Sequence, residues 1–338
     1  MTKIGVAGLG FMGSTHLQAY KNVPDAEIAA VCSSDERKLA GDLSAISGNL
    51  DRPGESMDFG QAARYRTLDE LFADANVDAV DLCLPSHLHA PATIQALNAG
   101  KHVLVEKPMA LSGEECGQMV AAAKANGKVL MVAQVLRFWP DYLAAYDLIR
   151  SGTLGPVKMA FFRRKCAAPA WSRWMHDREK GGGGVFDLLI HDFDFANYLF
   201  GKPRAVKARG VEEMAKGIDL AEALLDYGDG REVHISGGWH HPKSYPFSME
   251  FTISCEGGTL DFHSGLRRLT LYRADGESEE VKLTETDGFH AECAAFAAAC
   301  EAGEAPANCR PEESAVSTKM ALAMRASRDQ NGAAVDIE

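Results

Sequence analysis

The chain has 338 residues and a formal net charge of −12. The length suits two domains better than one core, and the acidic balance counts against nucleic-acid binding, which needs a basic footprint for the phosphate backbone. No run has the apolar length of a membrane span, and the opening Met1-Thr2-Lys3-Ile4-Gly5-Val6 passes straight into a strand with no room for a signal peptide.

The eight cysteines, Cys32, Cys83, Cys116, Cys166, Cys255, Cys293, Cys300 and Cys309, are scattered, with no C-x-x-C pair. That pattern is neither a zinc site nor a disulfide scaffold, so no metal is expected and a reduced cytoplasm is the expected setting.

Residues 1–133 alternate strand and helix. Strand candidates are Ile4–Ala7, Glu27–Cys32, Ala79–Leu84, His102–Val105 and Val129–Val132, each apolar and bounded by turn residues. Thr67-Leu68-Asp69-Glu70 and Ser112-Gly113-Glu114-Glu115 read as capping boxes, and Gly100 and Asn126-Gly127 as helix stops. Such alternation implies right-handed crossovers and a parallel, doubly wound sheet. Ser44–Gly60, with Gly48, Asn49, Asp51, Pro53 and Gly54, breaks the pattern and reads as a surface excursion and a candidate for mobility.

The pattern changes after Gly152. A helix over Val185–Phe200 places Phe186, Leu189, Ile190 and Phe193 on one face and stops at Gly201, with Pro203 beyond. Strand-like segments follow at Ala205–Val211, Glu222–Tyr227, Glu232–Trp239, Phe247–Ser254, Thr259–Phe262, Leu269–Arg273 and Val281–Leu283. Tight turns at Tyr227-Gly228-Asp229-Gly230 and Ala274-Asp275-Gly276 make the sheet antiparallel. Helices near Phe289–Glu301 and Glu312–Arg328 close the chain. The expected class is α/β, with a dinucleotide-binding domain over 1–133 and an α+β substrate-binding and oligomerisation domain over 134–338.

Gly8-Leu9-Gly10-Phe11-Met12-Gly13 follows the first strand and opens a helix. In that setting Gly8 makes the tight turn, Gly10 lets backbone approach a pyrophosphate and Gly13 packs helix on strand. The helix start then offers N–H groups and a positive dipole end to phosphates. About twenty positions on, where NAD sites place an acid for the ribose hydroxyl, stand Ser33 and Ser34. A serine hydroxyl can donate to a 2′-phosphate, with Arg37 and Lys38 adding charge, which favours NADP over NAD. In the counter-reading Asp35 reaches the ribose, and Arg37 and Lys38 are a solvated helix face.

Glu106-Lys107-Pro108 ends a buried strand, at the crevice where open α/β sheets bind ligands. There an ammonium can sit beside a reacting carbon–oxygen bond; elsewhere such a lysine is a surface charge. Leu84-Pro85-Ser86-His87-Leu88-His89 ends another strand of the same sheet, and its histidines read equally as cofactor neighbours or as ordinary caps. Gly181-Gly182-Gly183-Gly184 would let a ligand come close to backbone. It leads into Asp187 and His191, one helical turn apart, so Asp187 can orient an acid/base His191. Asp192 and Asp194 flank the pair, but one histidine among aspartates on one helix is a poor zinc signature.

These motifs, in this order, resemble the glucose–fructose oxidoreductase/inositol dehydrogenase (Gfo/Idh/MocA) family, and the resemblance covers essentially the whole chain. It implies a Rossmann domain in which Gly8, Gly10, Phe11, Met12 and Gly13 hold the pyrophosphate of NADP or NAD. Pro85, Ser86 and His89 would border the cofactor. Glu106, Lys107 and Pro108 would form the lysine motif beside nicotinamide and substrate, and Asp187 and His191 the substrate-domain pair. Gln134-Val135-Leu136-Arg137-Phe138 resembles the segment that enters the substrate domain, which makes Arg137 a pocket candidate. The implied activity is hydride transfer to or from a sugar, cyclitol or sugar derivative by a cytoplasmic homo-oligomer, a dimer or tetramer, with no nucleic-acid or membrane partner. Trp171, Trp174 and His176, or Trp239, His240 and His241, could stack on the sugar. The family also contains NAD-dependent glycosidases, and its fold can serve a non-catalytic nucleotide sensor.

Overall fold

A computed structural model describes residues 1–48, 54–170 and 172–337. The chain divides into two units, residues 1–135 with 287–315 and residues 136–286 with 316–338.

The first unit begins β1 (Thr2–Ala7), α1 (Phe11–Tyr20), β2 (Ala26–Cys32), α2 (Glu36–Leu39), β3 (Ala63–Tyr65) and α3 (Leu68–Ala73). It continues with β4 (Ala79–Leu82), α4 (His89–Asn98), β5 (His102–Glu106), α5 (Gly113–Asn126) and β6 (Leu130–Ala133). The six strands pair in parallel in the order β3-β2-β1-β4-β5-β6. Helices cover both faces of such a sheet, which is why β4 and β6 are buried throughout rather than alternating. The strand order reverses between β1 and β4, the switch point outside whose carboxyl ends ligands bind.

Local chemistry sets the helix ends. Thr67 and Glu70 form a reciprocal capping box. Ser112 accepts the Glu115 N–H without the reciprocal bond, and Gly127 closes α5 in the left-handed region at φ 59°. Strand β3 has no sequence signal, because Ala63-Arg64-Tyr65 is too short and polar to stand out from its neighbours.

The described ends of the excursion after Ser44, residues 44–48 and 54–60, fold back on this unit. Asp42 bridges Ser56, and Met57 and Phe59 are buried. Gly48 lies so close to the Phe11 ring that a Cβ there would come within 2.4 Å of it. Asn49, Asp51 and Pro53 lie outside the described residues.

The second unit contains α6 (Pro140–Arg150), β7 (Val157–Cys166), α7 (Arg178–Gly181), α8 (Ile190–Phe200), β8 (Ala205–Glu213), β9 (Ile218–Asp226) and β10 (Glu232–Trp239). Then come β11 (Ser248–Cys255), β12 (Gly258–His263), β13 (Arg267–Arg273) and β14 (Ser278–Glu280). Helices α9 (Gly288–Ala302) and α10 (Pro311–Asp329) and strand β15 (Val335–Asp336) end the chain. Nine strands form one sheet in the order β14-β13-β12-β11-β7-β10-β9-β8-β15, antiparallel except where β7 runs parallel to β10. No helix among the described residues is long and apolar enough to cross a membrane.

Strand β7 is central to this sheet and is absent from the sequence-based expectation. It alternates as it should, but Phe161 and Met159 point outward, while Arg164, of the wrong polarity for a core, points inward. Burial of Arg164 is made tolerable by Asp192, which accepts from its Nε at 2.8 Å and its second nitrogen at 3.1 Å. Arg137 and Asp194 form a second buried fork, at 2.8 and 2.9 Å. Around them Tyr142 meets Phe195, Phe251 and Phe262 edge-on, with ring centroids 4.8, 5.0 and 5.8 Å apart.

The division differs from a single cut after residue 133, because α9 belongs to the first unit. Cys293 and Phe296 of α9 are fully buried, and Glu292 lies beside His16 of α1. A chain can return to an earlier core whenever its apolar face matches, and no boundary signal marks this in the sequence.

Removing one partner of a buried fork strands the other charge. Asp194→Ala is expected to cost about 3–5 kcal/mol in a denaturant titration, whereas Lys158→Ala, which breaks the exposed pair with Glu256, should leave the midpoint nearly unchanged. Equal shifts for the two variants would contradict the structural importance of the Arg137–Asp194 fork.

Candidate functional site

The three fingerprint glycines differ in what surrounds them. Gly8 has φ +93°, and a Cβ there would lie 2.2 Å from the Cys83 carbonyl oxygen. At Gly13 a Cβ would lie 2.0 Å from the Gly8 carbonyl oxygen. At Gly10 it would meet nothing within 4 Å. Gly8 and Gly13 are therefore required by the turn and by the packing of α1 on β1, while Gly10 keeps a space open. Gly10 is also the N-cap of α1 and makes no side-chain cap bond, so the cap residue itself satisfies none of the first N–H groups of that helix.

At the end of β2, the Ser33 hydroxyl oxygen accepts the Asp35 N–H at 3.2 Å. Asp35 caps α2, accepting from the N–H groups of Arg37 and Lys38. The Arg37 guanidinium is paired with Asp42 at 2.6 Å and is mostly exposed. Ser34 is exposed and Lys38 half-buried.

The loops after β4 and β5 are tied together. Both ring nitrogens of His89 face carbonyl oxygens, Nδ1 that of Pro108 at 2.7 Å and Nε2 that of Leu84 at 2.8 Å. Burial pushes this imidazole below its ordinary range, against the pull of the two carbonyls and Glu106. His89 is 1% exposed, and its ring joins the two loops. Pro85 is half-buried and Ser86 buried.

Behind these loops lies a buried charge cluster. His16, on α1, points Nδ1 at Asp81 Oδ2 at 2.8 Å, and its Nε2 is 3.3 Å from Glu106 Oε1 and 3.9 Å from Glu292 Oε2. Burial alone would depress the imidazole, but Asp81 in particular holds it well above its ordinary range, which favours its charged form. Glu106 would be raised by burial, yet the His16 contact, with Lys107 and His89 adding, holds it below the usual carboxylate range. Its Oε2 accepts the Lys107 N–H at 3.0 Å. Within residues 103–110, Lys107 alone is not buried.

His16, Asp81 and Cys83 also lie within 4.8 Å of one another with ligand atoms. Two nitrogen or oxygen ligands on one tetrahedral zinc stand roughly 3.3 Å apart, from bonds near 2.0 Å. The 2.8 Å His16–Asp81 contact is a hydrogen bond instead. Sequence reading missed this cluster, although one signal was present: a carboxylate in the buried run Ala79-Val80-Asp81-Leu82 needs a cationic or hydrogen-bonding partner.

In the second unit, residues 185–189 form a π-helical turn that runs into α8. Such turns recur at functional sites. Asp187 lies in the π turn and donates its N–H to the Gly183 carbonyl at 2.9 Å. Every residue over 181–197 is buried except Asp187 and His191, both half-buried.

The glycine run before this turn packs on protein. A Cβ at Gly182 would meet Phe186 at 2.6 Å, and one at Gly183 would meet Asp219 Oδ2 at 2.3 Å. Asp219 also accepts the Val185 N–H at 3.3 Å and pairs with Arg328. The expectation that these glycines admit a ligand is corrected to tight internal packing at Gly182 and Gly183.

Arg137 is fully buried against Asp194. His176 is half-buried and contacts the Pro169 carbonyl through Nε2 at 2.7 Å. Trp239 is fully buried, 5.5 Å from the His176 ring, and serves the core. Trp174 is half-buried and His240 exposed, while His241 stacks on Tyr245 at 4.0 Å. Trp171 lies outside the described residues.

Comparison with known proteins matches residues 2–134 to an oxidoreductase family with an NAD-binding Rossmann fold, and residues 142–261 to the GFO/IDH/MocA C-terminal domain. An inositol 2-dehydrogenase of Rhizobium meliloti is 30% identical over 73% of this chain and 72% of its own length. A D-xylose 1-dehydrogenase (NADP(+)) of Haloferax volcanii is 27% identical over 99% of both chains. With another oxidoreductase of Rhizobium meliloti, at 32% identity, the similarity spans 59% of that protein. A levoglucosan dehydrogenase solved with NADH and levoglucosan shares the fold, with a TM-score of 0.85 at 21% identity over 99% of both chains.

The glycine geometry separates fold from function. Gly13→Ala should destabilise the protein by at least about 1–3 kcal/mol, since backbone must move, and Gly10→Ala should leave thermal unfolding unchanged. A matched loss of stability in both would refute the open space at Gly10.

Proposed function

The chain belongs to the Gfo/Idh/MocA family of NAD(P)-dependent oxidoreductases, and from that premise we propose that it moves a hydride between nicotinamide and a hydroxyl-bearing carbon of a sugar, cyclitol or related polyol. The relatives named for xylose and inositol support that substrate class. The observation that carries the reading is the partial exposure of Lys107 and of the Asp187/His191 pair within otherwise buried segments.

The residues around the fingerprint fit a dinucleotide. Gly10 leaves the space a pyrophosphate would fill, and α1 begins there. Bound nicotinamide supplies the hydride chemistry. In the oxidation direction His191 takes the hydroxyl proton, and Asp187 holds the imidazole's orientation and stabilises its charged form. Lys107 donates a hydrogen bond to the reacting oxygen and stabilises its developing negative charge.

The preferred cofactor is NADP. Ser33 uses its oxygen to accept the Asp35 N–H, which leaves its own proton for a phosphate. Asp35 spends its carboxylate on the cap of α2. The protein acts as a homo-oligomer, a dimer or tetramer, through the open face of the nine-stranded sheet. Met159, Phe161 and Tyr272 lie on that face with 39%, 42% and 46% exposure, an apolar set of the kind that partners cover.

A panel of polyols, aldoses and sugar acids, assayed with both cofactors for reduced nicotinamide, tests the activity. Lys107→Ala should lower turnover by at least about a hundredfold with cofactor still bound, and His191→Ala by roughly 10²–10⁴-fold. Asp187→Asn should cost less, and the double variant little more than His191→Ala alone, since a working pair is not additive. Turnover within a few-fold of wild type removes a residue from the mechanism. A chromogenic glycoside cleaved without net cofactor reduction would replace the dehydrogenase reading altogether.

The cofactor choice is tested separately. The kcat/KM for NADP should exceed that for NAD, and Ser33→Asp should reverse the order by repelling a 2′-phosphate. A wild-type preference for NAD contradicts the assignment.

A further inference from the structure

Lys107 sits on a short backbone segment held from both sides by buried side chains. Its N–H is received by Glu106 Oε2 at 3.0 Å, and the carbonyl of the next residue, Pro108, faces His89 at 2.7 Å. The N–H side has the more demanding support. Glu106 is 6% exposed, and a carboxylate that deep stays ionised only beside a positive charge. The His16 ring supplies it, at 3.3 Å from Oε1, leaving Oε2 to the Lys107 N–H. His16 is itself fully buried and fixed by Asp81 at 2.8 Å. Asp81 lies in β4, between β1 and β5, so the chain of contacts runs from the rigid middle of the sheet to the lysine.

We propose that His16 is a positioning residue for Lys107: held by Asp81, its imidazole anchors the Glu106 carboxylate that fixes the Lys107 backbone at the end of β5. The proposal rests on the reading of Lys107 as the group that contacts the reacting oxygen. His16 touches no solvent and acts only through Glu106. Remove its ring and Glu106 loses the countercharge 3.3 Å from Oε1, and the carboxylate must take up a proton or turn elsewhere. Either change alters the bond to the Lys107 N–H. The ammonium then loses the placement that an oriented stabiliser needs, although the side chain that carries it is intact.

Hydrogen exchange on the protein without cofactor reads the backbone directly. His16→Gln and His16→Leu should both speed exchange in peptides spanning residues 103–110 while peptides from β1 and β2 keep their protection. Glu106→Gln, which keeps an amide oxygen at the same place, serves as the second probe should the His16 variants not fold, and should speed the same peptides to a smaller extent. In turnover, His16→Gln should lower kcat by up to about a hundredfold, with the Kd for NADPH unchanged by fluorescence titration. In a Lys107→Ala background the same substitution should have no further effect. Unchanged exchange over 103–110 overturns the proposal, as do losses that multiply in the double variant. If Lys107→Ala alone leaves turnover intact, the functional reading fails, and the exchange result still decides whether His16 fixes this segment.

Discussion

A charge taken out of water must meet an opposite charge or surrender its ionisation, and that requirement organises both units of this chain. In the first, one imidazole stands among three carboxylates contributed by β4, the end of β5 and α9. In the second, Arg137 and Arg164 take up Asp194 and Asp192. Arg328 meets Asp219, which also receives the N–H that begins the π turn. None of these groups is a free-energy gain that hydrophobic residues could not match. Their effect is on arrangement, because each links elements far apart in sequence at fixed distances and tolerates no slip in register.

The helix that carries the substrate-domain pair shows how this sorts side chains of the same type. Asp187, Asp192 and Asp194 are chemically alike and lie within eight positions in the sequence. Two are consumed by arginines in the interior, while Asp187 stays half-buried with His191. The difference is set by the partners on β7 and in the segment entering this unit. The π turn adds a second adjustment, widening the helix where Asp187 sits.

Much of this was legible from the sequence. The parallel sheet, the fingerprint turn, the Thr67–Glu70 box and the closing helices follow from local periodicity and turn chemistry. Strand β7 was not, because its inward arginine inverts the alternation on which strand reading depends, and the partner that reverses that penalty lies 28 residues away. The return of α9 to the first unit was hidden for a related reason: its apolar face says that it packs, not where. The Arg137 fork was hidden as well, because its Asp194 partner is 57 positions distant. His16 was visible only through the buried Asp81.

Glycines and charges gain meaning from what they leave open. Of the glycines around the two candidate sites, Gly8, Gly13, Gly182 and Gly183 are filled by the protein's own atoms, and Gly10 alone faces empty space. Of the charges, Glu106, Asp192, Asp194 and Arg137 are spent inside. Lys107, Asp187 and His191 keep partial exposure while their neighbours are packed away. Charged side chains are almost never fully buried unless paired, so one that keeps partial exposure inside a closed segment marks a place that solvent still reaches. A ligand that enters there meets side chains able to give and take protons and to donate hydrogen bonds. That is why these residues, more than the motifs containing them, point to where a substrate and a cofactor would bind.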